Sequence, residues 1–240
     1  MRKAAQNVVL LAAGETLLWI TLAGHEYLDY VRPGFRIPLI ATGALLCALG
    51  GLGIATTWRR AATATSNRQA DEHDHDHGPR ATWLLFLPPL VIAMIAPSAL
   101  GSFTAERAVD QAPRPQAGPA LAALSADGPA RISLTEFTAR AFQAKAGHDT
   151  LTERQVILTG FARPAGRNRW MLIRLRMTCC AADAVPMRVV IKDSPAPPTG
   201  TWVRVTGTWS PVWASIDDIA FPQLTATGLE HIARPADPYE

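Results

Sequence analysis

Charge is sparse in this sequence. Asp, Glu, Lys and Arg make up 18 % of its 240 residues and the formal net charge is +3, too modest a balance to call for a nucleic-acid partner, so none is expected. Cysteine is scarcer, at three, and none belongs to a CxxC pair, the stronger of the metal-binding and redox patterns. No nucleophile with a base, and no pair of carboxylates, stands at a recognisable catalytic spacing. Enzymatic activity is therefore not expected.

What the chain has instead is long apolar runs. Gln6–Gly24 carries one charge, Glu15, and Ile37–Trp58 and Trp83–Gly101 carry none. Each is near the length that crosses about 30 Å of hydrocarbon as a helix. The Gly, Ala and Thr of the second run suit close helix contact in lipid. Pro88, Pro89 and Pro97 make the third irregular. Arg2 and Lys3 ahead of the first run also fit a signal peptide, but the internal Glu15 and the missing small-x-small cleavage site speak for a retained span.

Residues 1–101 are thus expected to be a three-span membrane region. Arg2, Lys3, Arg59, Arg60, Arg68 and Arg80 would lie on one face, against Arg32 and Arg36 on the other. By the positive-inside rule the first face is cytoplasmic. The expected location is the cell membrane, multi-pass, with the N-terminus cytoplasmic and everything after Gly101 extracytoplasmic. Trp19, Tyr27 and Tyr30 read as anchors at the bilayer interface. Glu15, inside a span, reads as a helix-pairing or conduction group. Cys47, in the second span, reads as a small residue at a helix contact.

Residues 59–82 form a polar, histidine-rich cytoplasmic loop, and 102–130 a Pro/Ala/Gly-rich linker. The fold class expected beyond them is a small mostly-β, OB-like barrel with one leading helix, over residues 131–235. Ser133 and Glu136 make a capping box, followed by apolar Leu134, Phe137, Ala141 and Phe142 at helical spacing up to Gly147. From Arg154 the period becomes two, in strands RQVILTGFAR, RWMLIRLRMT, VPMRVVIK and TWVRVTGTWS, with a weaker one at Ala220–Ile232. Gly160 and Gly207 mark bends or bulges, and about five short strands suit a closed barrel, with a sandwich fragment as the alternative.

Two constellations are candidates for chemistry. The first is RMTCCAADA, with Cys179, Cys180 and Asp183. In an oxidising compartment adjacent thiols can close a strained disulfide, lie buried as small hydrophobes, or serve with Asp183 as ligands for zinc or another divalent metal. The residues alone leave these open. The second is DEHDHDHG, in which His73, His75 and His77 offer flexible imidazoles to zinc, nickel or cobalt. Arg174 and Arg176 share a strand face and read as its wet side, where they are also placed to steady Asp183. Asp217 and Asp218 are weaker ligand candidates. Trp170, Trp202, Trp209 and Trp213 read mainly as core or barrel-face residues.

These features together resemble the YcgQ-type permease-subunit family, small bacterial membrane proteins paired with a larger multi-spanning permease. The resemblance rests on the N-terminal spans, the histidine-rich loop, LLFLPPLVIAMIAP and CCAADA, with Cys179, Cys180, Ala182, Asp183 and Ala184 its most specific part. It implies a subunit of a two-component transport system embedded in the lipid bilayer, with a multi-spanning permease subunit as partner and a link to zinc or another metal. An extracytoplasmic thiol-redox or assembly factor, and a purely structural permease partner, are the alternative functions.

Overall fold

The computed structural model describes residues 2–64, 121–125, 127–165, 169–216 and 219–240. They fall into two compact units. The first holds the N-terminal helices; the second holds the C-terminal β domain together with the short segment Leu28–Arg32.

In the first unit, α1 (Arg2–Leu22) and α2 (Arg36–Ala64) are antiparallel neighbours joined by two short 3-10 turns. Two stretches are long and apolar enough to cross a membrane, Ala5–Leu22 and Pro33–Arg59. Two candidate spans are therefore found among the described residues where three spans were expected, the third, Trp83–Gly101, lying outside them. The helices meet through small residues. A Cβ on Gly14 would stand 2.6 Å from Cys47 Sγ and 2.7 Å from the Gly43 carbonyl oxygen, and one on Gly50 would stand 2.7 Å from the Asn7 carbonyl oxygen. Cys47, whose Sγ lies 3.9 Å from the Leu11 carbonyl oxygen, is the contact residue it was expected to be. Apolar side chains point outward instead, as in a helix pair whose solvent is lipid. Glu15 is also exposed on α1, so its carboxylate is not spent on α2. Of the expected interface anchors Trp19 is 72 % exposed, but Tyr27 is only 6 % exposed. Tyr27 lies in the 3-10 turn Glu26–Asp29, and so buried a ring is not offered to a headgroup.

The second unit is mostly β. Strand β1 (Ala130–Arg131) leads into α3 (Leu134–Lys145), then β2 (Gln155–Pro164), β3 (Trp170–Arg176), β4 (Val185–Lys192), β5 (Trp202–Ile216) and β6 (Ile219–His231). The sheet order is β1-β2-β3-β4-β6-β5, with a further pairing of β2 to β5. From β2 the pairings therefore run around to β5 and return to β2. All contacts in that ring are antiparallel except β4–β6. Gly160 sits where β2 passes from β5 to β3, and a Cβ there would stand 2.5 Å from the Ile173 carbonyl oxygen. Gly207 lies at a register shift between β5 and β6, the bulge its place in the strand pattern suggests.

Strand alternation sends Val156, Leu158, Leu172, Val189, Ile191, Val203, Val205 and Leu224 into one core, closed by Leu134, Phe137 and Ala141 of α3. The opposite strand face is not wet throughout. Phe161, Met171, Ile173 and Val190 form a second cluster with Ala214 and Phe221 from the far ends of β5 and β6. The β5–β6 hairpin is long enough, at 15 and 13 residues, to fold over its neighbours. Trp170 is fully buried, Trp202 packs edge-on against Phe161, and Trp213 meets Phe142 in the same way under the Lys145 ammonium. These tryptophans are packing residues.

Ser133 caps α3 as the sequence suggests, its Oγ accepting from Glu136 N at 2.9 Å. The reciprocal half of the box is replaced: Glu136 accepts from Arg140 instead. The remaining N-terminal amides are met by Glu240, whose carboxylate accepts from Leu134 N at 2.7 Å and Thr135 N at 2.9 Å. Residues 121–124, expected in the linker, lie against α3: Leu124 packs on the core and the Ala122 carbonyl accepts from Arg140. Tyr239 and Glu240, beyond the expected boundary at 235, run beside Leu175 of β3.

Candidate functional site

The chain leaves β3 at Arg176 and reaches β4 at Val185 through a turn whose last residues, Ala181–Asp183, form a single 3-10 turn. Asp183 closes that turn. Its Oδ1 accepts from Thr178 N at 3.0 Å and its Oδ2 from Cys179 N at 2.8 Å, so a side chain expected to offer oxygens outward is turned toward the backbone behind it. The reason is local. A short connection between two paired strands leaves its N–H groups without ladder partners, and an Asp a few residues on is the residue type that satisfies them.

Cys179 is exposed, Cys180 is half-buried, and both are free thiols. Their sulfurs lie 3.6 Å apart, well beyond a covalent bond. The electrostatics of the turn hold the Cys179 proton on. A hydrogen bond to Asp183, then one to Cys180, then desolvation and the nearby Asp183 charge push the thiol up to about 11. For Asp183, desolvation pulls upward but is outweighed by the hydrogen bonds from the Cys179 thiol and the Thr178, Cys179 and Cys180 amides, so its carboxyl titrates below the ordinary range. Carboxylate and thiol thus form one donor–acceptor pair.

A partner distant in sequence holds the turn from outside. Val31 bridges Cys180 in antiparallel fashion, with Ala181 N donating to the Tyr30 carbonyl at 2.7 Å and Arg32 N to the Cys179 carbonyl at 3.3 Å. Two further contacts fix the same segment: Tyr239 Oη donates to the Asp29 carbonyl at 2.8 Å, and Arg234 pairs with the Asp29 carboxylate. Nothing in the spacing of residues 28–32 marks this docking. The only local hint is the placement of polar Asp29 and Arg32 between two apolar runs.

The structure brings Cys179, Cys180 and Asp183 together as expected. Among the described residues no group of three or more His, Cys, Asp and Glu is arranged to hold a metal ion. His73, His75 and His77, and Asp217 and Asp218, lie outside the described residues. Arg174 and Arg176 do not steady Asp183. Arg174 turns to the C-terminal segment, with Nη2 donating to the Asp237 and Tyr239 carbonyls at 3.0 Å each. It is only partly exposed, because that segment covers a strand face that alternation alone would leave wet.

Residues 126–240 match the family model described as the DUF1980 C-terminal domain, which bears out the family resemblance at the level of this domain. No curated protein matches the chain. Among solved structures, a protein described as an aspartyl-tRNA synthetase from Leishmania major Friedlin is similar at 13 % identity and a TM-score of 0.27, over 48 % of this chain and 23 % of that one. A likeness at that score carries no argument, and this chain spans under a quarter of that protein's length.

Proposed function

We propose that the chain is a membrane-anchored, permease-associated protein, one subunit of a two-component permease. In this reading its β domain is an exported OB-like barrel that receives a soft divalent ion, zinc or a similar metal, as cargo at Cys179 and Cys180. The observation that carries it is the pair of free thiols 3.6 Å apart in an accessible turn. Two zinc-bound thiolates at about 2.3 Å and a tetrahedral angle stand about 3.8 Å from one another, so the turn already has the bite a thiophilic ion needs. Only two sulfurs converge. The remaining positions stay open, as suits an ion to be passed on.

The membrane arrangement has its own support. Leu28–Arg32, the connection between the two apolar helices, belongs to the same compact unit as the β domain. If both helices span, that connection and the domain share one face of the membrane, opposite the end of α2. The uncharged apolar run Trp83–Gly101 is proposed as one further span before the domain. Together with the Lys and Arg count, this supports the reading of an exported domain. The exposed Glu15 on α1 supports a polar partner within the bilayer, the multi-spanning permease, because a carboxylate left in lipid costs several kcal/mol. The closed ring of pairings with one parallel contact, β4–β6, supports the OB-like barrel. His73, His75 and His77 are proposed as a weaker collector on the cytoplasmic side.

Thiol-redox work is the weaker alternative. The hydrogen bond to Asp183 holds the proton on Cys179 and disfavours its reactive thiolate. Metal binding faces the same proton, but an ion displaces it directly, and the affinity should rise with pH. The test is zinc stoichiometry of the reduced full chain in detergent, against Cys179→Ser and Cys180→Ser. Loss of about one zinc per chain in both variants is expected. Equal stoichiometry in all three proteins overturns the metal role.

A further inference from the structure

Beside the cysteine turn the β domain has an open cleft of about 620 Å³ lined by Arg32, Ser133, Thr135, Arg174, Arg176, Met177, Thr178, Tyr239 and Glu240. We infer that this cleft is a binding site for a phosphate-bearing anion, with Arg32, Arg174 and Arg176 as its cationic walls.

Three arginines line it against the acidic Glu240, whose side-chain carboxylate is already engaged by Leu134 N, Thr135 N and the Thr135 hydroxyl and whose main-chain oxygen accepts from Met177 N. The anion preference of the α3 N-terminus is thereby met from within the chain. Arg32 and Arg176 are left over, whereas the Arg174 guanidinium also stands 5.9 Å over the Trp202 ring. Among the described residues neither Arg32 nor Arg176 has an ion-pair or hydrogen-bond partner for its side chain, and Arg174, fixed through Nη2, has a buried Nε–H with no acceptor. Arg176 is only half exposed, so its charge is partly stripped of water without a counter-charge, an arrangement that costs free energy until an anion supplies one.

Planar guanidinium forks match the paired oxygens of phosphate, and three positive groups suit a dianion better than a single carboxylate. The volume exceeds that of a bare ion, leaving room for the rest of a phosphorylated molecule. A lipid headgroup and a soluble phosphate share this chemistry. Arg32 lies in the connection between the two apolar helices, which makes an anionic headgroup the source to test first.

The experiment uses the purified full chain in neutral detergent and follows its thermal midpoint. In one arm inorganic phosphate is titrated at constant ionic strength; in the other, micelles are doped with phosphatidylglycerol, with phosphatidylcholine as control. A saturable rise is expected in at least one arm, weakened at least about tenfold in apparent affinity by Arg32→Ala/Arg176→Ala, since each lost charge-assisted contact is worth about 1.5–3 kcal/mol. Arg32→Ala alone, at an exposed site, serves if the double variant is unstable. A rise with phosphatidylglycerol only identifies the headgroup, and a rise with inorganic phosphate only a soluble ligand. No saturable rise in either arm, or an equal rise in the variants, overturns the site. None of these variants touches the thiols, so failure here is distinct from failure of the metal reading.

Discussion

In the helix pair Leu45, Leu49 and Leu52 are half or more exposed, whereas in the β domain Leu134, Leu158 and Leu172 are wholly buried. The same residue type is sorted oppositely, as water around the β domain and lipid around an apolar helix pair would sort it. Water drives leucine inward at about 25 cal/mol for each Å² removed from it. Lipid offers no such gain, so the helices meet through whatever lets backbones approach, here Gly14, Gly43 and Gly50. Glycine also serves the β domain, in positive-φ turns at Gly128, Gly147 and Gly200 and where strands cross, at Gly160 and Gly207. In one unit it is the interface itself; in the other it turns the chain or relieves a crowded point in an apolar core.

The contrast is broken most sharply by one substitution made in both units. Leu172→Ala, in the β core, should cost about 2–5 kcal/mol and lower the thermal midpoint of the domain's tryptophan signal. Leu49→Ala, on the outer face of α2, should change stability by no more than about 0.5 kcal/mol. Similar losses at both sites would mean that α2's outer face is covered by protein. A smaller effect is expected within one helix. Gly50→Ala must displace backbone at 2.7–2.8 Å and should cost about 1–3 kcal/mol in detergent unfolding. Gly51→Ala meets nothing within 4 Å and should be neutral or stabilising by up to about 1 kcal/mol, through helix propensity.

The smallest effect sharpens the chemistry of the turn. In a Cys47→Ser/Cys180→Ser background, where the push from Cys180 is already gone, Asp183→Asn should lower the Cys179 thiol further toward its ordinary 9.0, read as the pH dependence of alkylation. With a membrane-impermeant maleimide on intact cells, the same measurement reports the face on which the domain lies; no labelling there would place it inside. The linkage has two signs. Asp183 titrates low in the fold, so its contribution is present above its ordinary 3.8 and lost as pH falls below that. Cys179 titrates high, so its contribution is present below 9.0 and lost as pH rises through about 11. Between those limits the turn keeps both halves of its hydrogen-bonded pair.

Much of the candidate site was legible beforehand, but not its wiring. Two adjacent cysteines and an aspartate three residues later mark a turn with chemistry, and Ser133 marks the start of α3. Asp183 was legible as a polar group at the right place, not as the acceptor for Thr178 and Cys179 N–H, because a ligand and a turn-closing residue have the same spacing. Glu136 was read as half of a capping box, but Arg140, one helical turn on, competes for it with a charged fork. Arg174 and Arg176 were read as a wet face, because alternation cannot show that residues more than 60 positions later return to cover it.

By itself, the sequence determined what depends on neighbours along the chain: the apolar runs of α1 and α2, the helical stripe and Ser133 cap of α3, the two-residue period of β2 to β6 and the glycines at their bends. Only the tertiary structure decided the pairing of β2 with β5, the docking of Leu28–Arg32 on the cysteine turn, the capping of α3 by Glu240 and the arginine-lined cleft. The physical reason is common to all four. Each joins backbone or charged groups that are distant in sequence, and such groups carry no local pattern that names their partner. They pair where the fold leaves a donor or acceptor unmet.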